Sequence, residues 1–540
     1  MTPHVGRAAS ALVLLGGALA PLSCSLGENG NAPIFLSEAG ADVQVTPICT
    51  PETGTDLPDP DFRDSNCDGI DGDSSHAVFV ATTGADTASG ELYTPVKTLA
   101  RALSLARADA GLAVRDIYVC DGTYPESIEI GAAGVHIYGG FDCAKGWARS
   151  HRHALVSPPR GQPLRVSRAR DVLIRHVDFK APDAFQAGES VVAVSVLGSQ
   201  DVTLEDAVLQ AGNGAAGKPG QPSDPGMTTP PLEAAAGDSA PANLGCAIVG
   251  GYSETCKAQL AGGFSAKRTY ACANSPGEYL GGWGGPGANA GPVDPDASSL
   301  GAAGSPPATS PRRSSGPAGG LPPAGRSGKA GTLGAPGASA QADFGSVVNG
   351  SYAATNAGGD GTPGLLGEAG DGGQGGWSLL GSDTRWYLGG GGGQGGFPGC
   401  GGAAGKGGGG GGASIALIAV DSSVTLSGLT IITGSGGAGG TPSAGAAGQP
   451  GGEAGRGGTG MPAPDFNTNG AQGGRGGDGG AGGPGGAGGG GPSIGIVIVG
   501  ERPELARSAY RIGRGGAGAA GPSGNPAGSN GREATEYVIQ

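Results

Sequence analysis

Apolar residues recur along the chain in a short pattern that returns twice in full and a third time in weaker form. Within each copy they lie at offsets 0, 2, 5 and 7, which alternate as in a β-strand except at one point. Two short strands joined by a tight corner, each pointing alternate residues inward, give these offsets. The copies are Val172, Ile174, Val177 and Phe179; Val202, Leu204, Ala207 and Leu209; Val424, Leu426, Leu429 and Ile431; and Pro503, Leu505, Ser508 and Tyr510. Stacked copies bury a shared core, so the pattern predicts a solenoid.

The last three copies also share their surroundings. Each follows an apolar, strand-like run and precedes a Gly-x-Gly triplet that begins three residues after its last apolar position. The runs are 191–196, 415–420 and 494–499, and the triplets begin at Gly212, Gly434 and Gly513. We therefore expect the glycine-rich tracts to leave the solenoid at one corner and to return there, as insertions between coils.

The region 76–143 predicts further strands and one helix. The strand-like runs, most of them bounded by glycine, are 77–81, 116–120, 127–130 and 135–138. Between the first two runs, apolar residues recur at helical spacing at Leu99, Ala102, Leu103 and Ala106. Thr94 followed by Pro95 is typical of a helix N-terminus, and Gly111 of a helix end. We predict a helix over 95–110.

Glycine supplies 118 of the 540 residues, about three times its usual share. It falls on every third position over 358–376 and 390–411, and residues 473–490 consist of Gly-Gly-x triplets. A period of three fits extended helices with three residues per turn, packed as a polyglycine-II-like bundle. A disordered lobe fits the same composition, so the sequence leaves both alternatives open.

Composition limits the function. The formal net charge is −14, with 32 Lys and Arg residues, whereas a nucleic-acid surface needs clustered cations. Nucleic acid is therefore excluded as a partner. All six histidines lie at or before His176, so any chemistry beyond that point works without imidazole.

The N-terminus predicts export. Arg7 and the apolar run that follows are typical of a signal peptide, which we place at 1–24. Leu22-Ser23-Cys24 resembles a lipoprotein box in which Cys24 is acylated; small residues at 18 and 20 favour ordinary cleavage as the alternative. With Cys24 removed, eight cysteines remain, an even number typical of disulfides in exported chains. Residues 25–75 are acidic and predict a flexible stalk.

The beginning of the solenoid region resembles a known family. The segments that carry the resemblance are FVATTGAD from Phe79, TPVKTLARAL from Thr94, DGTYPESI from Asp121 and VHIYGGF from Val135. They are similar to the start of pectin-lyase-like, right-handed parallel β-helix proteins, in a bacterial surface family of unknown function. The resemblance implies an all-β fold, a right-handed parallel β-helix with an N-terminal capping α-helix and large Gly-rich insertions. The glycine tracts are similar, in composition only, to mycobacterial PE-PGRS surface proteins.

The predicted organisation follows from these observations. After the signal peptide and the stalk, its parts are the β-helix N-terminal part at 76–210, a Gly/Pro-rich insertion at 211–413, one coil at 414–433, a second Gly-rich insertion at 434–492, and the last coil with a Gly-rich tail at 493–540.

The β-helix interpretation also bears on the cysteines. Cys120 and Cys143 lie 23 residues apart, about one coil. Adjacent coils stack at about 4.8 Å, within the Cα separation that a disulfide accepts. We therefore predict a Cys120–Cys143 disulfide, and proximity predicts Cys49–Cys67. The remaining cysteines supply two more bonds whose pairing stays open; they are Cys246, Cys256, Cys272 and Cys400.

An acidic loop precedes the first strand. Its oxygen-bearing residues alternate around a glycine as in the first half of a calcium loop, and they are Asp64, Asn66, Asp68, Asp71 and Asp73. Ser75 occupies the position at which an EF-hand needs a bidentate Glu. The loop is interpreted either as a partial calcium site, with calcium the only cofactor considered, or as part of a solvated acidic stalk.

Function is predicted least directly. Charged residues crowd 165–178, but Asp171, Arg175 and Asp178 fall on the outward side of the proposed coil. No Gly-His-Gly element of the polygalacturonase type occurs. We expect a non-enzymatic, surface-anchored structural or adhesive protein, at the outer membrane or extracellular surface, which contacts the membrane only through an N-terminal lipid. The expected partners are an envelope or extracellular polysaccharide, another surface protein or a partner cell. The alternative is a carbohydrate-active enzyme, a polysaccharide lyase or hydrolase, on the same scaffold.

Overall fold

The computed structural model describes residues 49–52, 56–106, 116–131, 133–222, 234–239, 269–272, 275–280, 322–354, 356–376, 379–380, 386–387, 389–463 and 467–539. The chain divides into two units, Met1–Thr50 and Pro51–Gln540. Nearly all described residues belong to the second unit, and the fold below is that of this unit. The predicted signal peptide with Cys24 lies outside the described residues, as do Cys246 and Cys256.

Three parallel sheets make the second unit an all-β structure. Sheet 1 contains β1 (Ala77–Val80), β2 (Asp116–Cys120), β5 (Ala133–Asp142), β9 (Arg170–Arg175), β12 (Gln200–Glu205), β21 (Val424–Ser427) and β24 (Glu504–Ala506), with β6 (Ala148–Arg149) antiparallel to β5. Sheet 2 contains β3 (Gly122–Tyr124), β7 (Ala154–Val156), β10 (Val177–Lys180), β13 (Val208–Ala211), β22 (Thr430–Thr433) and β25 (Ala509–Arg511). Sheet 3 contains β4 (Ile128–Ile130), β8 (Leu164–Ser167), β11 (Val191–Leu197), β20 (Ser414–Val420), β23 (Ser493–Val499) and β26 (Glu533–Ile539).

Small elements complete the described secondary structure. Three antiparallel hairpins lie within the long insertion between β13 and β20, and a 3-10 turn follows β5. The hairpins are β14 (Thr269–Cys272) with β15 (Ser275–Leu280), β16 (Ser346–Val348) with β17 (Ser351–Ala353), and β18 (Leu379–Leu380) with β19 (Trp386–Tyr387). The 3-10 turn is Cys143–Lys145.

From β2 onward the chain visits the sheets in the order 1, 2, 3, once per coil. In sheet 1, Leu204 pairs with Ile174 on one side and Leu426 on the other. In sheet 2, Leu209 is paired in the same way with Phe179. These side chains are buried, with at most 1% of their surface exposed. The positions that the sequence repeat aligns are therefore neighbours in the parallel ladders.

One residue per coil turns the chain from sheet 1 into sheet 2. It has a left-handed φ in four successive coils, at His176 (55°), Asp206 (46°), Gly428 (67°) and Arg507 (51°). A single left-handed residue bends the backbone sharply, and Gly, Asp and His tolerate this region better than β-branched residues do. This corner explains why the apolar offsets step by three between 2 and 5.

The one α-helix among the described residues, α1 (Leu99–Ala106), packs against β1 and β2. Its buried face consists of the four apolar residues that the helical spacing predicts. The helix begins at Leu99, four residues later than predicted, because Val96 still pairs with Val80 as a parallel bridge. Thr98 caps it instead, since its Oγ1 accepts the Arg101 N–H at 3.1 Å. No described helix is long and apolar enough to cross a membrane.

The described parts of the glycine-rich insertions and tail are extended, hydrogen-bonded segments that we call the glycine bundle. Its segments are 214–220, 234–238, 323–340, 356–376, 390–412, 434–458, 468–491 and 513–531. From 358 to 376 every third N–H donates to a carbonyl of 390–408, running antiparallel. From 390 to 411 every third N–H donates to a carbonyl of 468–489, running parallel. Segment 468–491 is bonded to five other segments, so it lies inside the bundle.

Candidate functional site

The loop before β1 is packed against the sheets, although the sequence predicts it as part of a flexible stalk. Ile70 is 3% exposed and joins a buried cluster with Phe79, Tyr118 and Trp147. The Asp56 carboxylate, 4% exposed, accepts three backbone N–H groups of the loop, those of residues 65, 66 and 72. Within the predicted stalk, residues 56–75 therefore form a folded element.

Three of the predicted calcium ligands lie together in this loop. Asp64 accepts the N–H groups of Asp68 and Gly69, and Asn66 Nδ2 donates to Asp68 Oδ2 at 3.2 Å. Asp73 pairs with His76 at 3.0 Å, and its carboxylate also accepts the Ser75 N–H at 2.9 Å. Among the described residues, no three His, Cys, Asp or Glu side chains are grouped so that they could hold a metal ion.

The other predicted ligand, Asp71, points into the protein. Its carboxylate forms an ion pair with Arg149 at 2.9 Å, and both side chains are at most 1% exposed. The guanidinium also lies over the rings of Phe62 and Phe141, at 5.0 and 4.7 Å from the ring centres. Burial raises the pKa of Asp71 to about 6, against the opposing effects of the Asp59 N–H and Arg149. The side chain of Asp71 therefore anchors the loop.

The anchored loop closes one wall of a polar cavity of about 380 Å³ at the corner between sheets 1 and 2. The side chains that matter for its chemistry are Phe62, His151, His153, Arg175, His176 and Asp206. Two of them, His176 and Asp206, are the left-handed corner residues of successive coils. The corner geometry thus positions polar side chains beside one another.

Two imidazoles in this cavity differ in their surroundings. His153 Nδ1 is 2.8 Å from Asp178 Oδ1, which also accepts the Val208 N–H. The His176 ring lies 5.3 Å from that of His153, and its Nδ1 is 3.2 Å from Arg149 Nη2. Burial, followed by the charge of Arg149, lowers the pKa of His176 to about 4. Because a guanidinium can only donate, His176 Nδ1 is the acceptor, and the ring is neutral at neutral pH.

Arg175 is held by two partners. Its Nη2 lies 2.7 Å from Glu205 Oε2, and its Nη1 donates to the Pro58 carbonyl at 2.9 Å. The cavity therefore presents one carboxylate-paired imidazole and one neutral imidazole beside a neutralised guanidinium. Such a set can hydrogen-bond a polar ligand, and the Asp178 carboxylate orients the His153 ring beside it.

The sequence reasoning missed this cavity, although one signal was available. His153 and His176 are 23 residues apart, the same interval as Cys120 and Cys143. Both intervals are one coil, so each pair lies on neighbouring strands or corners. The sequence analysis used this interval for the cysteines alone.

Two disulfide pairs are defined by the structure. Cys120 is bonded to Cys143 with a Cα separation of 5.7 Å, and Cys272 to Cys400 with a separation of 5.6 Å. Cys49 and Cys67 each take part in a disulfide bond. Disulfides persist in oxidising compartments, so they indicate a non-cytoplasmic location for the folded chain.

Comparison with protein-family models, with curated proteins and with solved structures gives no match to this chain.

Proposed function

We propose that the chain is an exported, surface-anchored structural or adhesive protein, non-enzymatic, whose rigid faces bind glycan, envelope polymer or a partner cell. In this proposal Cys24 carries the lipid that holds the protein at the outer membrane or extracellular surface. The three sheets wind as a right-handed parallel β-helix of the pectin-lyase-like type, α1 caps its first end, and the glycine bundle is of the polyglycine-II type.

The order in which the chain visits the sheets supports the proposed winding. Strand, crossover and parallel strand in one sheet are right-handed in nearly all proteins. The three-residue hydrogen-bond period supports the polyglycine-II type, because one turn of such a helix contains three residues. The position of α1 against β1 and β2, the first strands of sheet 1, supports a capping role.

A single observation carries the functional proposal. Extended glycine segments bond to one another through long-range backbone hydrogen bonds, such as Gly402 N–H to the Gly480 carbonyl at 2.9 Å. Glycine loses more backbone entropy on ordering than any other residue. Ordering a glycine bundle therefore costs more conformational free energy than ordering a segment of the same length with side chains. The bundle provides a rigid face with few protruding side chains, which suits a repetitive polymer.

The proposal is tested on the purified mature protein. Hydrogen exchange at 358–376, 390–411 and 470–491 should be slow if the bundle is a rigid surface. The same protein should sediment with insoluble peptidoglycan or with an insoluble polysaccharide. Exchange as fast as in a free chain, or the absence of sedimentation with any of these polymers, contradicts the proposal.

The second candidate, a carbohydrate-active enzyme, is favoured by the His153–Asp178 pair in the polar cavity. A carboxylate that orients an imidazole is a common arrangement in general acid–base catalysis. Release of unsaturated or reducing sugars from pectin or alginate, abolished in His153→Ala, would favour this candidate over adhesion. Equal release by the wild type and by H153A would count against it.

A further inference from the structure

A second cavity, of about 290 Å³, lies where sheet 3 meets the insertion between β13 and β20. It is bordered by the turn that precedes β8, the loop that precedes β11 and the β16–β17 hairpin. The side chains that carry the argument are Arg160, Gln162, Asp183, Phe185, Glu189 and Tyr352. The volume is at the lower end of the range for small-molecule sites, about 300–1,000 Å³.

Phe185 is presented to solvent at this cavity. Its side chain is 76% exposed, although burying a phenyl ring is favourable. The Glu189 carboxylate accepts the N–H groups of Phe185 and Gln186 at 2.8 and 2.7 Å, so the turn that carries the ring is preformed. The Arg160 guanidinium lies 4.8 Å from the ring centre and covers one part of it. The rest of the ring is available for a ligand.

The turn that carries Arg160 also places Gln162 at the cavity. Gln162 Oε1 accepts the Ser195 hydroxyl at 3.3 Å, whereas its Nε2 is buried and has no partner among the described residues. A buried donor without an acceptor costs about 1–3 kcal/mol. Tyr352, 7% exposed, has its hydroxyl fixed by the Gly345 N–H at 2.7 Å and closes the cavity with its ring.

We propose that this cavity binds one residue of a neutral pyranose in an extracellular polysaccharide. The exposed face of Phe185 packs against the C–H face of the sugar. The carboxylates of Asp183 and Glu189 accept from the hydroxyls of the sugar. Two carboxylates face one guanidinium, so a uronate is disfavoured by repulsion. This inference rests on the proposed adhesive function and names the chemistry of its ligand.

Calorimetric titration of the full-length protein with cellotetraose, maltotetraose and mannotetraose tests the inference, with tetragalacturonate as the acidic comparison. We expect one site for at least one neutral tetrasaccharide, and about tenfold weaker binding by Phe185→Ala. The uronate should bind at least about tenfold more weakly. Tyr93→Ala is the matched control, because Tyr93 is 91% exposed and lies outside the cavity.

Three results would overturn the inference: no binding of any neutral tetrasaccharide, binding unaffected by F185A, or tetragalacturonate binding as tightly as the best neutral probe. Polymer sedimentation separates this failure from failure of the proposed function. If the wild type and F185A both sediment with the polymer, adhesion stands and the cavity is not its site. If neither sediments, adhesion itself fails.

Discussion

The glycine bundle makes a specific prediction about single methyl groups. Gly364 is buried in segment 356–376, and a Cβ added there meets the backbone carbonyl of Gly480 well inside van der Waals contact. Gly359, in the same segment, is exposed, and the nearest atom to its added Cβ is the Ala338 nitrogen at 3.5 Å. Gly364→Ala therefore forces two segments apart, whereas Gly359→Ala fits without movement.

The magnitude follows from the bonds around the clash. Separating the segments weakens the 2.9 Å bonds from Gly480 N–H to the residue 365 carbonyl and from Gly483 N–H to the residue 362 carbonyl, together with the Gly364 N–H bond to Gly402. At about 1 kcal/mol each these cost about 3 kcal/mol, and overpacking adds about 1–3 kcal/mol. Alanine has less backbone freedom than glycine in the unfolded chain, so the substitution also stabilises the folded state by about 0.4–1 kcal/mol. We expect a net loss of about 4 kcal/mol for G364A.

The assay is hydrogen exchange resolved at individual segments. A loss of about 4 kcal/mol in the free energy of local opening accelerates exchange at Gly364, Gly480 and Gly483 by about a thousandfold. G359A should change exchange by less than about fivefold and in the protective direction, since alanine restricts the unfolded chain. Equal effects of the two variants, or unprotected amides in the wild type, would refute the close backbone packing on which the reasoning depends.

Three further predictions concern the sheets and the loop packed on them. Asp71→Asn leaves Arg149 charged and buried without its partner, so chemical denaturation should show a loss of about 3–5 kcal/mol. The pKa of His176 is lowered by burial to about 4, so its contribution is present above its unfolded pKa of about 6.5 and is lost as pH falls toward 4. Between pH 7 and pH 5 the wild type should therefore lose about 2 kcal/mol relative to His176→Asn, which keeps a residue suited to the left-handed corner; a pH-independent difference would contradict this. Replacing Cys120 and Cys143 with Ser opens a loop of 23 residues and should lower the free energy of unfolding, measured by chemical denaturation, by about 3 kcal/mol; an unchanged free energy would contradict this.

The parallel register was predictable because the spacing of the apolar residues determines which side chains must be buried together. Ile174, Leu204 and Leu426 occupy the same offset of the repeat, are consecutive neighbours in sheet 1 and are fully buried. A slip by one residue would turn these side chains outward, so the pattern allows one alignment. The period of three in the glycine tracts was equally visible, but the sequence could not show whether the tracts are ordered. Order depends on bonds such as Gly402 to Gly480, between residues 78 positions apart.

The wrong predictions, for the helix start and for the acidic loop, have one physical cause. In both places a contact with a residue far away in the sequence overrides the local preference. Thr94-Pro95 has the local composition of a helix start, but pairing of Val96 with Val80 keeps that segment extended. The acidic loop has the composition of a solvated stalk, but Arg149, far along the chain, buries Asp71. Local propensity is a weak prior where a tertiary contact competes with it. The polar cavity was missed for the same reason, since its imidazoles meet only when coils stack.

The bundle and the sheets form one continuous hydrogen-bonded structure. In the bundle, Gly390 N–H donates to the carbonyl of residue 468 and Gly411 N–H to that of residue 489, both 78 positions ahead. In sheet 3, Ser414 donates to residue 492 and Asp421 to residue 499, again 78 positions ahead. The same interval continues past the sheet, where Gly436 donates to residue 514. The glycine segments connect strands of sheet 2 to strands of sheet 3. Because they keep the same interval of 78 residues, the parallel pairing of neighbouring coils extends from the sheets into the bundle. The apolar core of the sheets therefore fixes the alignment that glycine, with no side chain to specify a register, cannot fix by itself.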